Sequence, residues 1–558
     1  MRQVRATGLL VSALLMASAA QAAPGRMSDT AAAQTATSMT SAAASDPDRG
    51  VIFHPEAVST EGSVEIGGRP IGYHAVAGTL VVHPRGWDDA AAREEAAKGG
   101  GAKSGSAEPA AEAAMFYTAY FRNGAPDAGR PVTFLFNGGP GSASLWLHMG
   151  AFGPRRVVTA DAAHTPAAPY RVVNNAFSLL DASDLVFIDA PATGFSRIAG
   201  KDKEKAFLGI DADAYAFTEF VKGFLSKYDR WNSPKYLFGE SYGTPRAAVM
   251  TAMLARSSIE LNGVILLSAT LNFDLWADAP QYNPGTEEPY IVTLPTMAAT
   301  AWYHDRIAGG RPAELAPFLR EVEHFALTDY AEALLAGSEL EPARRKAVAE
   351  RLAHYTGLPV NYIDKADLRV NVGEFQRTLE EARGLSVGRL DSRFEGPQLD
   401  PLSKEADYDP QSAAIGSAYV SAFNDYARRT LKFGGERPFR PSFDVDKDWN
   451  YMHAPPTAGY PIPAIANVMP DLAVAMKLNP RLHILVTGGQ FDLATPYFEG
   501  MYETRHLPIP ADLRGNVEYR YYPSGHMVYA NEASLKALHS DVADFIQRTA
   551  GNAASSSK

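Results

Sequence analysis

The chain has 558 residues, 46% hydrophobic and 21% charged, the composition of a globular protein large enough for several cores. Its 52 Lys+Arg against 63 Asp+Glu give a net charge of −11, and with no basic block this argues against a nucleic-acid partner. It contains no cysteine, which excludes disulfides, zinc knuckles, iron–sulfur clusters and thiol nucleophiles, so a covalent catalyst must use an oxygen or an amine.

Residues 1–22 read as a signal peptide: Arg2 and Arg5, the apolar run Ala6–Ala20, then Ala20-Gln21-Ala22 as a cleavage site. Ser12 and Ser18 break that run, which falls short of the roughly 20 apolar residues a spanning helix needs, so export is expected without a membrane anchor. A periplasmic or secreted location follows. Residues 23–50 are rich in Ala, Ser and Thr and read as a disordered tether. Val64–Val82 alternates as one or two strands. Residues 88–111 contain Gly99-Gly100-Gly101 and Lys103, but no apolar strand leads into them, so an exposed insertion is expected rather than a phosphate loop. Met115–Phe121 resumes strand-like spacing.

Five short runs follow that are apolar on both faces: Val132–Phe136, Leu185–Ile188, Tyr236–Phe238, Val264–Leu267 and His483–Val486. With the amphipathic helix Asp211–Tyr228 among them, they predict an open α/β sheet, mostly parallel and flanked by helices. From 278 to 460 the pattern changes to a charged helical stretch, Leu315–His354, and Pro/Gly-broken segments. The expected layout is a core at 51–277, a cap insertion at 278–460 over the strands' carboxyl ends, a second core part at 461–550 and a tail at 551–558.

Gly239-Glu240-Ser241-Tyr242-Gly243 matches G-x-S-x-G between an apolar strand and a helical run, Ala247–Arg256. A sharp strand-to-helix turn exposes the Ser241 hydroxyl as a nucleophile, while helix N–H groups favour negative charge beside it. An acid and then a base are expected after later strands, in the order Ser, Asp, His. Asp492 follows His483–Val486 through Thr487-Gly488-Gly489-Gln490-Phe491. Of the three later histidines, His506 has no strand before it and His539 falls in the terminal helix. His526 follows Val517–Tyr522 and is the expected base. Asn137-Gly138-Gly139-Pro140-Gly141, after Val132–Phe136, offers a backbone N–H that pairs with that of Tyr242 as an oxyanion hole.

These blocks, with Asp189-Ala190-Pro191-Ala192-Thr193-Gly194-Phe195-Ser196 and Gly525-His526-Met527, resemble the serine carboxypeptidase family. The resemblance implies an α/β-hydrolase fold, no cofactor, and release of C-terminal residues from peptides. It assigns Ser241 as nucleophile, His526 as base, Asp492 as orienter, and Gly139 and Tyr242 as oxyanion donors. It also implies that Asn137 and Glu240 bind the substrate's terminal carboxylate. Glu240 must be protonated for that, so acidic pH is expected to be favoured.

Two positions depart from the family pattern. Leu135 stands where many relatives have Trp, and Ala151 where they often have a second Glu, with His148, Arg155 and Arg156 nearby as cations. Asp444-Val445-Asp446-Lys447-Asp448 begins like a calcium loop, but Trp449 and Pro455 occupy its required Gly and Glu positions, and there is no H-E-x-x-H, so no metal is expected. Tyr290, Trp302, Tyr303, Trp449 and Tyr451 are candidates to line the cap. An esterase or acyltransferase with the same triad, and a non-catalytic binding protein on this scaffold, are the alternative readings.

Overall fold

Consecutive strand residues point to opposite faces, so a strand apolar at every position needs cover on both sides. The computed structural model describes residues 52–88, 90, 109–124, 129–278, 280–445, 447–458, 461 and 465–551. The leader, the tether and most of the 88–111 insertion lie outside the described residues. One large sheet dominates the architecture. Its main strands in chain order are β1 (Ala57–Ile66), β2 (Arg69–Val82), β3 (Glu112–Arg122), β4 (Val132–Phe136) and β5 (Asp184–Ile188). They continue with β6 (Lys235–Glu240), β7 (Gly263–Leu267), β8 (His483–Gly489) and β9 (Val517–Tyr522). The spatial order is β1-β2-β3-β5-β4-β6-β7-β8-β9. Pairing is antiparallel from β1 to β5 and parallel from β5 to β9.

Seven helices matter for the site: α1 (Ile210–Lys227), α2 (Gly243–Arg256), α3 (Glu288–Tyr303), α4 (Pro410–Arg429), α5 (Met469–Leu478), α6 (Tyr497–Arg505) and α7 (Glu532–Gly551). Phe134, Val186, Leu237, Val264 and Ile484 pack against the layer of α1, α2 and α5. Their neighbours Leu135, Phe187, Phe238, Ile265 and Leu485 pack against α4 and α7 on the other side. Burial stabilises each such side chain by about 1.5–3 kcal/mol, and in a chain without cysteine this term carries the stability.

After Asp278 the chain leaves the sheet. It forms α3 and the helices Leu315–Phe325, Ala331–Ala336 and Pro342–Thr356, which enclose a third core with α6. The Leu315–His354 stretch is therefore several helices, interrupted by a wide turn at Ala326–Tyr330 and a tight one at Gly337–Glu339. The expected cap boundary at 460 is too late. In α4, Tyr419, Phe423 and Tyr426 pack with Tyr120 and Phe187 on the sheet, and Val445 and Trp449 join the core beside Tyr242. An aromatic stripe on α4 seeks the sheet face, although its flanks are broken by Pro and Gly. Among the described residues no helix is long and apolar enough to cross a membrane.

Candidate active site

β6 runs directly into Ser241, whose φ of +60° lies in the left-handed region that L-residues avoid. The Ser241 N–H donates to the Leu267 carbonyl at the end of β7 (2.9 Å), and α2 begins two residues later. A Cβ on Gly239 would lie 2.1 Å from the Gly243 carbonyl, so strand and helix approach this closely only through glycine. The turn leaves Ser241 half-buried at the carboxyl edge of the sheet. Its hydroxyl makes no hydrogen bond among the described residues.

Asp492 follows β8 and His526 follows β9, so both reach the same edge. His526 Nδ1 donates to Asp492 Oδ2 at 2.8 Å. Asp492 is fully buried, and its Oδ1 accepts the N–H groups of Ala494 (2.9 Å) and Thr495 (3.1 Å). The Thr495 hydroxyl donates to Oδ2 at 2.8 Å. With four donors on one carboxylate, the acid has a fixed rotamer and aims a single oxygen at the ring. Burial pulls the His526 pKa down, but Asp492 beside it, with Glu240, outweighs this and holds it above the ordinary value. Its Nε2 makes no hydrogen bond among the described residues. Ser241 and His526 are nevertheless tied to one strand end: Leu267 takes the Ser241 N–H, and the next residue, Ser268, donates its hydroxyl to the His526 carbonyl at 2.9 Å.

The turn after β4 lies against the nucleophile turn. A Cβ on Gly138 would fall 2.3 Å from the Tyr242 nitrogen. Among the described residues, neither the Gly139 nor the Tyr242 N–H is used in a hydrogen bond. The Asn137 N–H donates to Ser144 Oγ at 3.1 Å, and the Ser144 N–H donates to Asp189 Oδ1 at 2.8 Å. The Asp189–Ser196 block is thus a brace for this turn. The Arg246 Nη1 donates to the Asn137 carbonyl at 2.7 Å, and the Trp449 ring stands edge-on to Tyr242 at 5.2 Å. Replacing Gly138 by Ala is expected to push the two turns apart and lower kcat about 10²–10³-fold, the cost of one oxyanion donor. Steady-state hydrolysis of an activated ester checks this, and an unchanged kcat would remove the turn from the chemistry.

Asn137 Oδ1 accepts the Leu147 N–H at 3.1 Å, which leaves the amide NH₂ for Glu240. Glu240 also accepts from Tyr529, whose hydroxyl lies 3.0 and 2.9 Å from its two oxygens. Burial pushes the Glu240 pKa up to about 7, against the lowering effects of His526, Tyr529 and Asn137. The candidate cations near Ala151 do not converge here. His148 is hydrogen-bonded to Tyr120 and stacked on Phe187, and burial pulls its pKa down to about 3, so it is neutral. Arg155 reaches the Ser63 carbonyl, and Arg156 pairs with Glu532 at 2.6 Å.

Several of these contacts had no expectation from the sequence. Thr495 lies three residues after Asp492, a spacing at which a hydroxyl often meets a preceding Asx, and so had a local signal. The segment 389–393, far away in the chain, had none. Its Leu390 carbonyl accepts the His526 N–H (2.6 Å), and Asp391 accepts the Gly525 N–H (3.2 Å) while pairing with Arg393 (2.6 Å). Of the cap aromatics, Tyr303 meets Phe491 and Tyr451 meets Phe273, whereas Tyr290 is buried in the third core and Trp302 donates to the Pro312 carbonyl. His304, Glu380 and Glu395 place ligand atoms within 4.8 Å of one another, but Arg306 and Arg383 already neutralise the carboxylates.

A sheet with this strand order, carrying a serine turn after β6, an acid after β8 and a histidine after β9, is that of an α/β-hydrolase. Residues 104–274 match the family model described as serine carboxypeptidase. A carboxypeptidase Y homologue from Arthroderma benhamiae is 29% identical over 178 residues, which are 31% of this chain and 33% of the relative. The chain thus matches about a third of that relative's length. Among solved structures, a haloalkane dehalogenase loop variant from Bradyrhizobium elkanii is 13% identical, with 81% of this chain and 97% of that one covered and a TM-score of 0.29. A peroxisomal α/β-hydrolase from Saccharomyces cerevisiae is 12% identical, with 89% of each chain covered and a TM-score of 0.32.

Proposed function

We propose that this chain is an exported serine-type carboxypeptidase that releases C-terminal residues from peptides through an acyl-enzyme on Ser241. In this mechanism His526 Nε2 takes the hydroxyl proton as Ser241 Oγ attacks the last peptide carbonyl, and the Gly139 and Tyr242 N–H groups receive the oxyanion. The imidazolium then protonates the departing amine. Water repeats the sequence on the ester and frees the shortened peptide. Export rests on the leader at residues 1–22, outside the described residues.

The observation that carries this reading is the buried Glu240 beside the nucleophile, with its pKa near 7. A carboxyl that keeps its proton can donate to a substrate carboxylate, and an ionised one repels it. The sign follows from the raised value: binding of a free C-terminus is present below about pH 7 and lost as pH rises through it. The base sets the opposite limb, since His526 must be neutral and Asp492 holds its pKa up. A free-acid peptide is therefore expected to show a bell-shaped kcat/KM with a descending limb near pH 7. An ester lacking a carboxylate is expected to show the ascending limb alone. Ala151, where relatives often carry Glu, favours the esterase or acyltransferase as a second reading. Equal rates on a peptide and its C-terminal amide would select that second reading. A fluorophosphonate probe is expected to label the protein but not Ser241→Ala, and failure to label the unaltered protein would leave a non-catalytic scaffold.

A further inference from the structure

We propose that the Tyr529 hydroxyl is a specificity determinant, donating a hydrogen bond beside Glu240 and Asn137 to the free carboxylate of a peptide C-terminus. The proposal rests on the carboxypeptidase reading and adds a residue to its recognition site. The wide turn Leu147–Phe152 faces this site, and none of its six residues is a carboxylic acid. Its one titratable group, His148, is turned into the core against Phe187. Tyr529 packs on the turn instead. A Cβ on Gly150 would lie 2.5 Å from the Tyr529 ring and 2.8 Å from that of Tyr419, so the turn's missing side chain is the space these rings fill. Tyr529 is 3% exposed, and its hydroxyl is shared between both Glu240 oxygens.

The chemistry of the exchange is specific. Two carboxyls facing a carboxylate must both hold protons, and recognition fails when either is lost. A phenol with a pKa well above 10 is a donor throughout the working range, so only Glu240 limits binding. Tyr529 also stabilises ionised Glu240 by donating to it, so its removal raises the Glu240 proton affinity.

The test compares the unaltered protein with Tyr529→Phe, which keeps the ring against Gly150 and removes the oxygen. Substrates are a free-acid peptide, its C-terminal amide and an ester without a carboxylate, across pH 5 to 9. The expected result is a rise in KM for the free-acid peptide of about tenfold or more, as for loss of a hydrogen bond to a charged group. Ester turnover is expected to hold within about twofold, and the descending limb near pH 7 to move upward. Equal losses on all three substrates would mean a packing role and overturn the proposal. So would discrimination of acid from amide that the substitution leaves undiminished. If the unaltered protein itself fails to distinguish acid from amide, the carboxypeptidase reading falls and the Tyr529 proposal falls with it, which the two proteins' separate profiles distinguish.

Discussion

Replacing Asp492 by Asn is expected to lower kcat about 10⁴-fold, with KM and melting temperature little changed. The fold dictates how the new amide sits. The Ala494 and Thr495 N–H groups both donate to Oδ1, so that position requires an oxygen, and the amide nitrogen replaces Oδ2. An NH₂ group then faces His526 Nδ1, where a carboxylate oxygen now lies at 2.8 Å. Nδ1 must become the acceptor and Nε2 must carry the hydrogen, which leaves no lone pair to take the Ser241 proton. The ascending limb should also move to lower pH, because Asp492 is what holds the His526 pKa up against burial. Steady-state kinetics on an activated ester, alongside thermal melting, measure both. A loss below tenfold, or one matched by a large fall in melting temperature, would mean that Asp492 is not the orienter.

The second large effect is on stability. Arg246 and Asp213 are each 1% exposed and joined at 2.6 Å, with the guanidinium stacked over Phe217 at 4.3 Å. Arg246→Met is expected to cost about 3–5 kcal/mol, because it leaves Asp213 as an uncompensated buried carboxylate. The double substitution Arg246→Met with Asp213→Leu should recover most of that loss, since an apolar pair avoids desolvating two charges. Urea unfolding of the four proteins in the cycle measures this, and a double variant as unstable as the single would refute it. Arg246 also holds the Asn137 carbonyl, so the double variant should regain stability without regaining full activity.

Each site residue that follows a strand was legible in the sequence for one reason: a doubly covered strand must be apolar throughout and must end where its loop meets solvent. Ser241, Asp492, His526 and Asn137 all sit at such ends. Parallel pairing brings those ends to one edge of the sheet, whatever their separation in the chain. The contacts that refine the site had no such rule. Tyr529 lies three residues past His526 in a short helical turn, Val528–Ala530, and nothing in its neighbours shows that its ring fills the space at Gly150. Arg246 reads as one more helix arginine until Asp213 and the Asn137 carbonyl are seen around it. The cap boundary was misplaced because proline and glycine mark where a chain turns, and they do not record which surface the following helix covers.

The base loop takes its support from the insertion. A Cβ on Gly525 would lie 2.4 Å from that of Asp391, and the neighbouring Leu390 carbonyl holds the His526 N–H. A shortened version of this protein that lacks only residues 388–394 would therefore keep α4 on its sheet and lose the partner that seats its imidazole. Loosening the buried segment 388–394 should inactivate the molecule without dissolving it, so survival of the sheet and survival of turnover would part company.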